Sequence, residues 1–135
     1  MQSPRRLVAV IDDDVSVRGA LLRLFRTAGL DVSLFAAAEE YLASPNGANF
    51  ACLVIDMRLP GMSGLELLEK LHTDSPKPAL VITAHEDEQT RTKAFALGAV
   101  GFFRKPCDNR QLLDAVHGVL DRRDTRADGL SPGED

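Results

Sequence analysis

Five short apolar runs alternate with helix-like segments along this 135-residue chain, and this alternation constrains its fold more than any other feature. The apolar runs are typical of buried strands, and the segments between them carry apolar residues at helical spacing. Strands that alternate with helices form right-handed crossovers and a parallel sheet. The predicted strands cover residues 7–11, 31–35, 51–55, 79–83 and 100–104.

The number of strand–helix units predicts which α/β fold the chain adopts. Five units fit a flavodoxin-like, doubly wound parallel sheet with the strand order 2-1-3-4-5. Strands 1 and 3 are neighbours in this order, and ligands of such sheets bind beyond the carboxyl ends of the strands, where the order reverses. We therefore expect function at the residues that follow strands 1 and 3. These residues are Asp12, Asp13, Asp14 and Asp56.

Composition limits the class of protein. Hydrophobic residues make up 44% and charged residues 27%, which is typical of one folded domain rather than a disordered chain. The apolar runs are far shorter than a membrane span, so we expect no membrane partner. Cys52 and Cys107 are too few for a disulfide framework or a zinc site, which favours a reduced, cytoplasmic protein.

Charge argues against direct binding of nucleic acid by this domain alone. The net charge is −4, and no cluster of lysine and arginine is longer than two residues. A nucleic-acid-binding domain usually presents a basic face. Tryptophan is absent and tyrosine occurs once, which also disfavours a platform for stacking bases.

Three carboxylates that converge at one crevice repel each other, so the fold must supply positive charge. Carboxylates with a backbone carbonyl suit a hard divalent ion such as Mg²⁺, or Mn²⁺ in its place. Lys105 follows the fifth strand and Thr83 ends the fourth, at the same edge of the sheet. This set of groups predicts phosphoryl transfer to an aspartate, because such transfer depends on positioning and on electrostatic stabilisation of phosphoryl oxygens.

Four motifs at the strand ends strengthen this interpretation. They read Val-Ile-Asp-Asp-Asp at 10–14, Val-Ile-Asp-Met-Arg-Leu-Pro-Gly-Met-Ser-Gly at 54–64, Ile-Thr-Ala-His at 82–85 and Phe-Phe-Arg-Lys-Pro at 102–106. Together they resemble the CheY-like receiver domain of two-component response regulators, nearest to the FixJ-like subgroup. The resemblance covers residues 6–121. It implies a receiver domain over 5–122, followed at 123–135 by a flexible tail or the start of a linker.

The resemblance implies a role for each matched residue. Asp56 is the phosphoacceptor and a metal ligand. Asp13 binds the metal directly, and Asp12 binds it directly or through water. The backbone carbonyl of Arg58 completes the protein ligands.

Further roles follow from the same resemblance. The phosphoryl group contacts Thr83, Ala84 and Lys105, while Thr83 and Phe102 form the switch. Arg58 and His85 flank the site and tune the lifetime of the acyl phosphate. The bond from Lys105 to Pro106 is expected to be cis. The chain is then no enzyme in the ordinary sense, because it catalyses only its own phosphorylation and dephosphorylation.

The resemblance also implies partners. The phosphodonor is a sensor histidine kinase, and the output surface comprises helix 4 (86–97), strand 5 (100–104) and helix 5 (110–120). In FixJ-like proteins this surface pairs two receivers, so we expect a homodimer on phosphorylation. The segment 130–134, Leu-Ser-Pro-Gly-Glu, resembles the start of a LuxR-type helix-turn-helix domain, which would bind DNA outside this sequence.

The sequence also fits other interpretations. The chain fits a stand-alone receiver that acts on a partner protein, or a pseudo-receiver that serves only for interaction. Asp12-x-Asp14 also resembles the first motif of haloacid dehalogenase phosphatases, although the late acidic pair of that class is missing. Asp14 itself has a structural explanation, since aspartate is a favoured N-cap residue.

Overall fold

A computed structural model describes residues 7–45, 49–85 and 87–127, with side chains of the last helix described to residue 122. Five strands form one parallel sheet in the order β2-β1-β3-β4-β5, which confirms the predicted fold class. The strands are β1 (Leu7–Ile11), β2 (Asp31–Phe35), β3 (Cys52–Asp56), β4 (Ala79–Thr83) and β5 (Ala99–Arg104). The helices are α1 (Val15–Thr27), α2 (Ala38–Leu42), α3 (Gly64–Asp74), α4 (Glu88–Ala96) and α5 (Asn109–Ala127).

The sheet separates two hydrophobic cores, because successive side chains of a strand point to opposite faces. One core lies under α2, α3 and α4, and the other under α1 and α5. Phe102 packs against the first core and Phe103 against the second, as the strand alternation predicts. The central strands β1, β3 and β4 are buried throughout, whereas β2 and β5 are edge strands with partly exposed side chains.

Two helices begin at the residues that the sequence indicates. Asp14 caps α1, where its carboxylate accepts hydrogen bonds from the backbone N–H groups of Ser16 and Val17. Ser63 and Glu66 form a capping box at the start of α3, which is the pattern that a serine followed three residues later by glutamate indicates. These caps satisfy backbone donors that the first turn of a helix leaves without partners.

The last two helices differ from their predicted bounds. Helix α4 begins at Glu88 rather than at residue 86, because Asp87 is its N-cap and accepts a hydrogen bond from the backbone of Gln89. Helix α5 continues to Ala127, although apolar periodicity ends at Leu120. The residues after Leu120 include three arginines and an alanine, which are good helix formers, so the helix continues without an apolar stripe. The motif at 130–134 lies outside the described residues, and the domain boundary at 122 stays a prediction.

The described helices include none with the length and apolar character needed to cross a membrane.

Candidate functional site

Three buried polar side chains lie at the carboxyl ends of β1, β3 and β4. Asp12, Asp56 and Thr83 are 0%, 4% and 1% exposed, and they are the buried polar side chains within the described ranges. Burying polar or charged groups is costly unless they are compensated, so their shared position at one edge requires a local source of compensation. With Asp13 and Lys105 they form what we call the acidic edge.

Three carboxylates of the acidic edge converge closely enough to share one cation. Oxygen atoms of Asp12, Asp13 and Asp56 lie within 4.8 Å of one another, and Asp13 is the exposed member. Oδ1 of Asp12 accepts a hydrogen bond from the backbone N–H of Asp14 at 2.9 Å. Oδ2 of Asp12 is buried and has no hydrogen-bond donor.

Lys105 supplies the positive charge of the acidic edge. Its Nζ atom lies 3.1 Å from Oδ2 of Asp56 and donates a hydrogen bond to it. The same Nζ atom lies 2.8 Å from Oδ2 of Asp12, where the two groups form an ion pair whose angles are not those of a hydrogen bond. Burial by itself lowers the pKa of this ammonium, but the two carboxylates outweigh burial and raise the pKa above its ordinary value.

The pKa of the Asp56 carboxyl is also raised. Burial is the main cause, because it penalises the charged carboxylate, and the neighbouring Asp12 adds to the effect. The backbone N–H of Arg58, which donates to Oδ1 of Asp56 at 3.0 Å, and Lys105 act in the opposite direction. Three ionised carboxylates against one ammonium leave two negative charges at the acidic edge, which is the charge that a divalent cation balances.

Backbone contacts fix where these side chains lie. The N–H of Lys105 donates to the carbonyl of Thr83 at 2.7 Å. This hydrogen bond extends the β4–β5 pairing to Lys105, the residue whose ammonium contacts Asp56. The peptide bond from Lys105 to Pro106 is cis, as expected. The N–H of His85 donates to the hydroxyl oxygen of Thr83 at 3.3 Å.

The loop between β3 and α3 closes on the backbone of Asp56. The N–H of Gly64 donates to the carbonyl of Met57 at 3.1 Å. A Cβ at position 64 would lie 2.8 Å from Cα of Met57 and closer still to the carbonyl oxygen of Asp56. Only glycine lets α3 begin this near to the strand end.

The structure thus brings Asp12, Asp13, Asp56, Thr83 and Lys105 together at one edge. Four other predicted site residues are not buried at this edge. Arg58, Ala84 and His85 are exposed, while Phe102 is half-buried on β5 beneath α4.

Two supporting residues were missed by the sequence interpretation. Nη1 of Arg18 donates to the backbone carbonyl of Asp12 at 2.7 Å. Oε2 of Glu39 accepts a hydrogen bond from the backbone N–H of Met62 at 2.8 Å, across 23 residues of sequence. Neither contact follows a helical or strand period, so no sequence pattern signals it.

Comparison with known proteins identifies the family. A model of the response regulator receiver domain matches residues 8–117. The chain belongs to the response regulator receiver family. The phosphatase alternative is therefore not retained.

Named relatives support the FixJ-like resemblance. Nodulation protein W of Bradyrhizobium diazoefficiens is 40% identical over 121 residues, which cover 89% of this chain and 53% of that protein. Transcriptional regulatory protein FixJ of the same species is 35% identical over 129 residues, which cover 95% of this chain and 63% of FixJ. A CheY-like receiver domain from Methanospirillum hungatei superposes with a TM-score of 0.84 at 27% identity, covering 90% of this chain and 98% of that structure.

The receiver domain thus spans little more than half of its curated relatives. Receiver domains of response regulators are signalling proteins rather than conventional enzymes; they bind Mg²⁺ through acidic residues, and histidine kinases phosphorylate them. The relatives named here include a transcription regulator.

Proposed function

We propose that this receiver accepts a phosphoryl group from a sensor histidine kinase on Asp56, with Mg²⁺ as cofactor. The observation that carries the proposal is the buried carboxylate of Asp56 at the end of β3, held 3.1 Å from the ammonium of Lys105. A carboxylate at this position lies where ligands of doubly wound parallel sheets bind, and its partner has the charge that phosphoryl oxygens require.

The acidic edge has the donor set for the metal. Carboxylate oxygens of Asp12, Asp13 and Asp56 converge, and the buried Oδ2 of Asp12 has no hydrogen-bond donor. With the backbone carbonyl of Arg58 they form an all-oxygen set, which suits Mg²⁺ or Mn²⁺. The metal would neutralise carboxylate and phosphoryl charge when bound.

The side chains of this chain perform the remaining work of the transfer. A carboxylate oxygen of Asp56 attacks phosphorus, so an oxygen–phosphorus bond forms. The nitrogen–phosphorus bond of the donor histidine breaks, and its electron pair returns to the imidazole. Lys105 neutralises a phosphoryl oxygen, and the hydroxyl of Thr83 donates a hydrogen bond to another. The small side chain of Ala84 leaves room for the group.

Residues around the edge would set the lifetime and the output of the phosphorylated state. We assign lifetime tuning to the exposed side chains of Arg58 and His85. We assign the switch to Thr83 and Phe102, because Thr83 lies at the edge and Phe102 lies under α4.

The output surface would be α4, β5 and α5, and its output a phosphorylation-dependent homodimer. Phe95 and Val100 expose 40% and 49% of their surfaces there, and exposed apolar side chains are typical of association surfaces. Transcription control in the cytoplasm would require a DNA-binding domain outside this sequence, as the partial coverage of the relatives suggests. A stand-alone receiver acting on a partner protein is the alternative output.

Intact-mass analysis after incubation with acetyl phosphate and Mg²⁺ tests the proposal. We expect one added phosphoryl group in the wild type and none in Asp56→Asn. Sedimentation of the same samples tests the output: a mass increase that depends on phosphorylation supports the homodimer. An adduct that survives in Asp56→Asn would move the chemistry to another residue. No adduct from either acetyl phosphate or a histidine kinase would indicate a pseudo-receiver.

A further inference from the structure

Helix α4 has the fewest buried residues among the helices that the structure describes. Within Glu88–Ala96 only Ala94 is buried, and most other side chains are exposed. A helix that is polar on most sides needs specific contacts to stay against the body of a protein. Those contacts therefore decide how firmly α4 is held.

Arg91 and Phe95 supply such contacts to β5. They are four residues apart on α4 and therefore lie on one side of the helix. The guanidinium carbon of Arg91 lies 5.4 Å from the ring centroid of Phe95 and 5.5 Å from that of Phe102. The two ring centroids are 6.5 Å apart and the rings are inclined by 39°. One cation thus contacts two aromatic rings from two elements.

The position of Phe102 makes this cluster important. Its inner side packs against the core under α2, α3 and α4, but β5 is an edge strand, so no further strand covers its outer side. Arg91 and Phe95 lie over that ring instead.

No acidic side chain of the described residues competes with the two rings for the guanidinium of Arg91. Asp87, four residues earlier, is occupied as the N-cap and accepts from Gln89 and from the hydroxyl of Thr90. In the ranges that the structure covers, Arg91 forms no ion pair with an acidic side chain. A cation within 6 Å of an aromatic centroid is attracted to the ring face.

We propose that Arg91 is a positioning residue that holds the Phe102 ring beneath α4, and that the switch must give up this contact when Phe102 reorients. The regulatory part rests on the proposed function, because it assigns the switch to Phe102. Removing the guanidinium frees Phe102 and α4 together. Of the two cation–π contacts, only that between Arg91 and Phe102 joins α4 to β5. One exposed cation–π contact corresponds to about a two- to fivefold change in an equilibrium constant.

A double-mutant cycle in the full chain tests the contact. We expect hydrogen exchange at α4 amides to be roughly two- to fivefold faster in Arg91→Gln than in the wild type, with Arg91→Lys between them because it keeps the cation. Arg26→Gln, which makes the same charge change on the exposed end of α1, should leave α4 unchanged. In a Phe102→Leu background the effect of Arg91→Gln should largely disappear. An equal effect of Arg91→Gln in both backgrounds would overturn the proposal, since it would reflect helix propensity alone.

The rate of phosphorylation by acetyl phosphate tests the coupling to the switch. We expect Arg91→Gln to be phosphorylated faster by roughly the same factor as its α4 amides exchange faster. An unchanged rate beside faster exchange would show that Phe102 does not control the switch and would refute the regulatory part. Absence of phosphorylation by both acetyl phosphate and a histidine kinase in every variant would instead reject the proposed function. The cycle, measured without phosphodonor, would still report on the contact.

Discussion

At the acidic edge, Asp12, Asp56 and Thr83 are buried and lie within contact distance of charged or hydrogen-bonding partners. The α4–β5 face, which comprises Arg91, Phe95, Val100 and Phe102, instead leaves large apolar side chains exposed. The edge sits on central strands that are packed on both sides, whereas the face joins an edge strand to a thinly packed helix. The proposed phosphoryl chemistry therefore lies in the more fully buried of the two regions, and the proposed output lies in the less buried one.

Gly64 and Gly118 give the sharpest test of this difference in packing. We expect Gly64→Ala to lower the free energy of unfolding by about 3 kcal/mol, because its Cβ would meet the backbone of Met57 and Asp56. A Cβ at Gly118, on α5, meets nothing within 4 Å, so Gly118→Ala should raise stability by up to about 1 kcal/mol. Urea denaturation measures both. Equal effects would mean that the edge is no more tightly packed than the outer side of α5.

Two lysines, Lys105 and Lys70, allow a mostly buried charge to be compared with an exposed one. Lys105→Met should lower the free energy of unfolding by about 2 kcal/mol in metal-free buffer, because it leaves two buried carboxylates without their cation. Lys70→Met breaks an exposed pair with Asp74 at 3.2 Å on α3 and should cost at most about 0.5 kcal/mol. Thermal denaturation in EDTA checks both, and added Mg²⁺ should restore more stability to Lys105→Met. Similar losses in the two variants would contradict the buried-charge argument.

The pH dependence of Asp56 sharpens the electrostatic side of the comparison. Burial raises the pKa of Asp56 above its ordinary value of 3.8, so the folded protein binds the proton more tightly than the unfolded chain does. This contribution to stability is fully present below pH 3.8 and is lost as the pH rises through the raised pKa. At neutral pH the ionised carboxylate then opposes folding. Asp56→Asn should raise the free energy of unfolding by about 1 kcal/mol in EDTA at pH 7.

The difference in the free energy of unfolding between the wild type and Asp56→Asn should become smaller as the pH is lowered towards 4. Denaturation midpoints measured across this range decide the matter. A gap that widens in acid would reverse the assigned sign of the pKa shift.

The smallest effect is expected at the loop that follows Asp56. Glu39 accepts the backbone N–H of Met62, and this bond lowers the pKa of the Glu39 carboxyl. Glu39→Ala should speed hydrogen exchange at the Met62 amide severalfold, with little change in global stability. Glu39→Gln keeps an acceptor oxygen and should remain near the wild type. If the Met62 amide exchanges equally fast in Glu39→Ala and Glu39→Gln, the charge of Glu39 rather than the hydrogen bond holds the loop.

The fold could be predicted because its signals are local. Each central strand reads as an unbroken apolar run, and caps such as Asp14 and Ser63 mark where helices begin. The prediction was weaker where polar segments carry no period. Helix α4 begins at its cap, Asp87, two residues later than expected, and α5 continues well beyond Leu120.

The candidate site could be predicted in its membership but not in its contacts. Parallel strands place all their carboxyl ends at one edge, so Asp12, Asp56, Thr83 and Lys105 had to be neighbours once the strands were recognised. Which of them are buried, and how Lys105 lies between two carboxylates, depends on packing around the edge.

The sequence by itself determined the order of the strands, the edge at which the acidic residues meet and the family to which the chain belongs. These properties follow from periodicity and chain order, which are local or topological. Only the tertiary structure decided that Oδ2 of Asp12 has no hydrogen-bond donor, that Glu39 reaches Met62 and that Arg91 lies over Phe102. Each of these depends on atoms brought within a few ångströms by packing, and no spacing along the chain encodes such a distance.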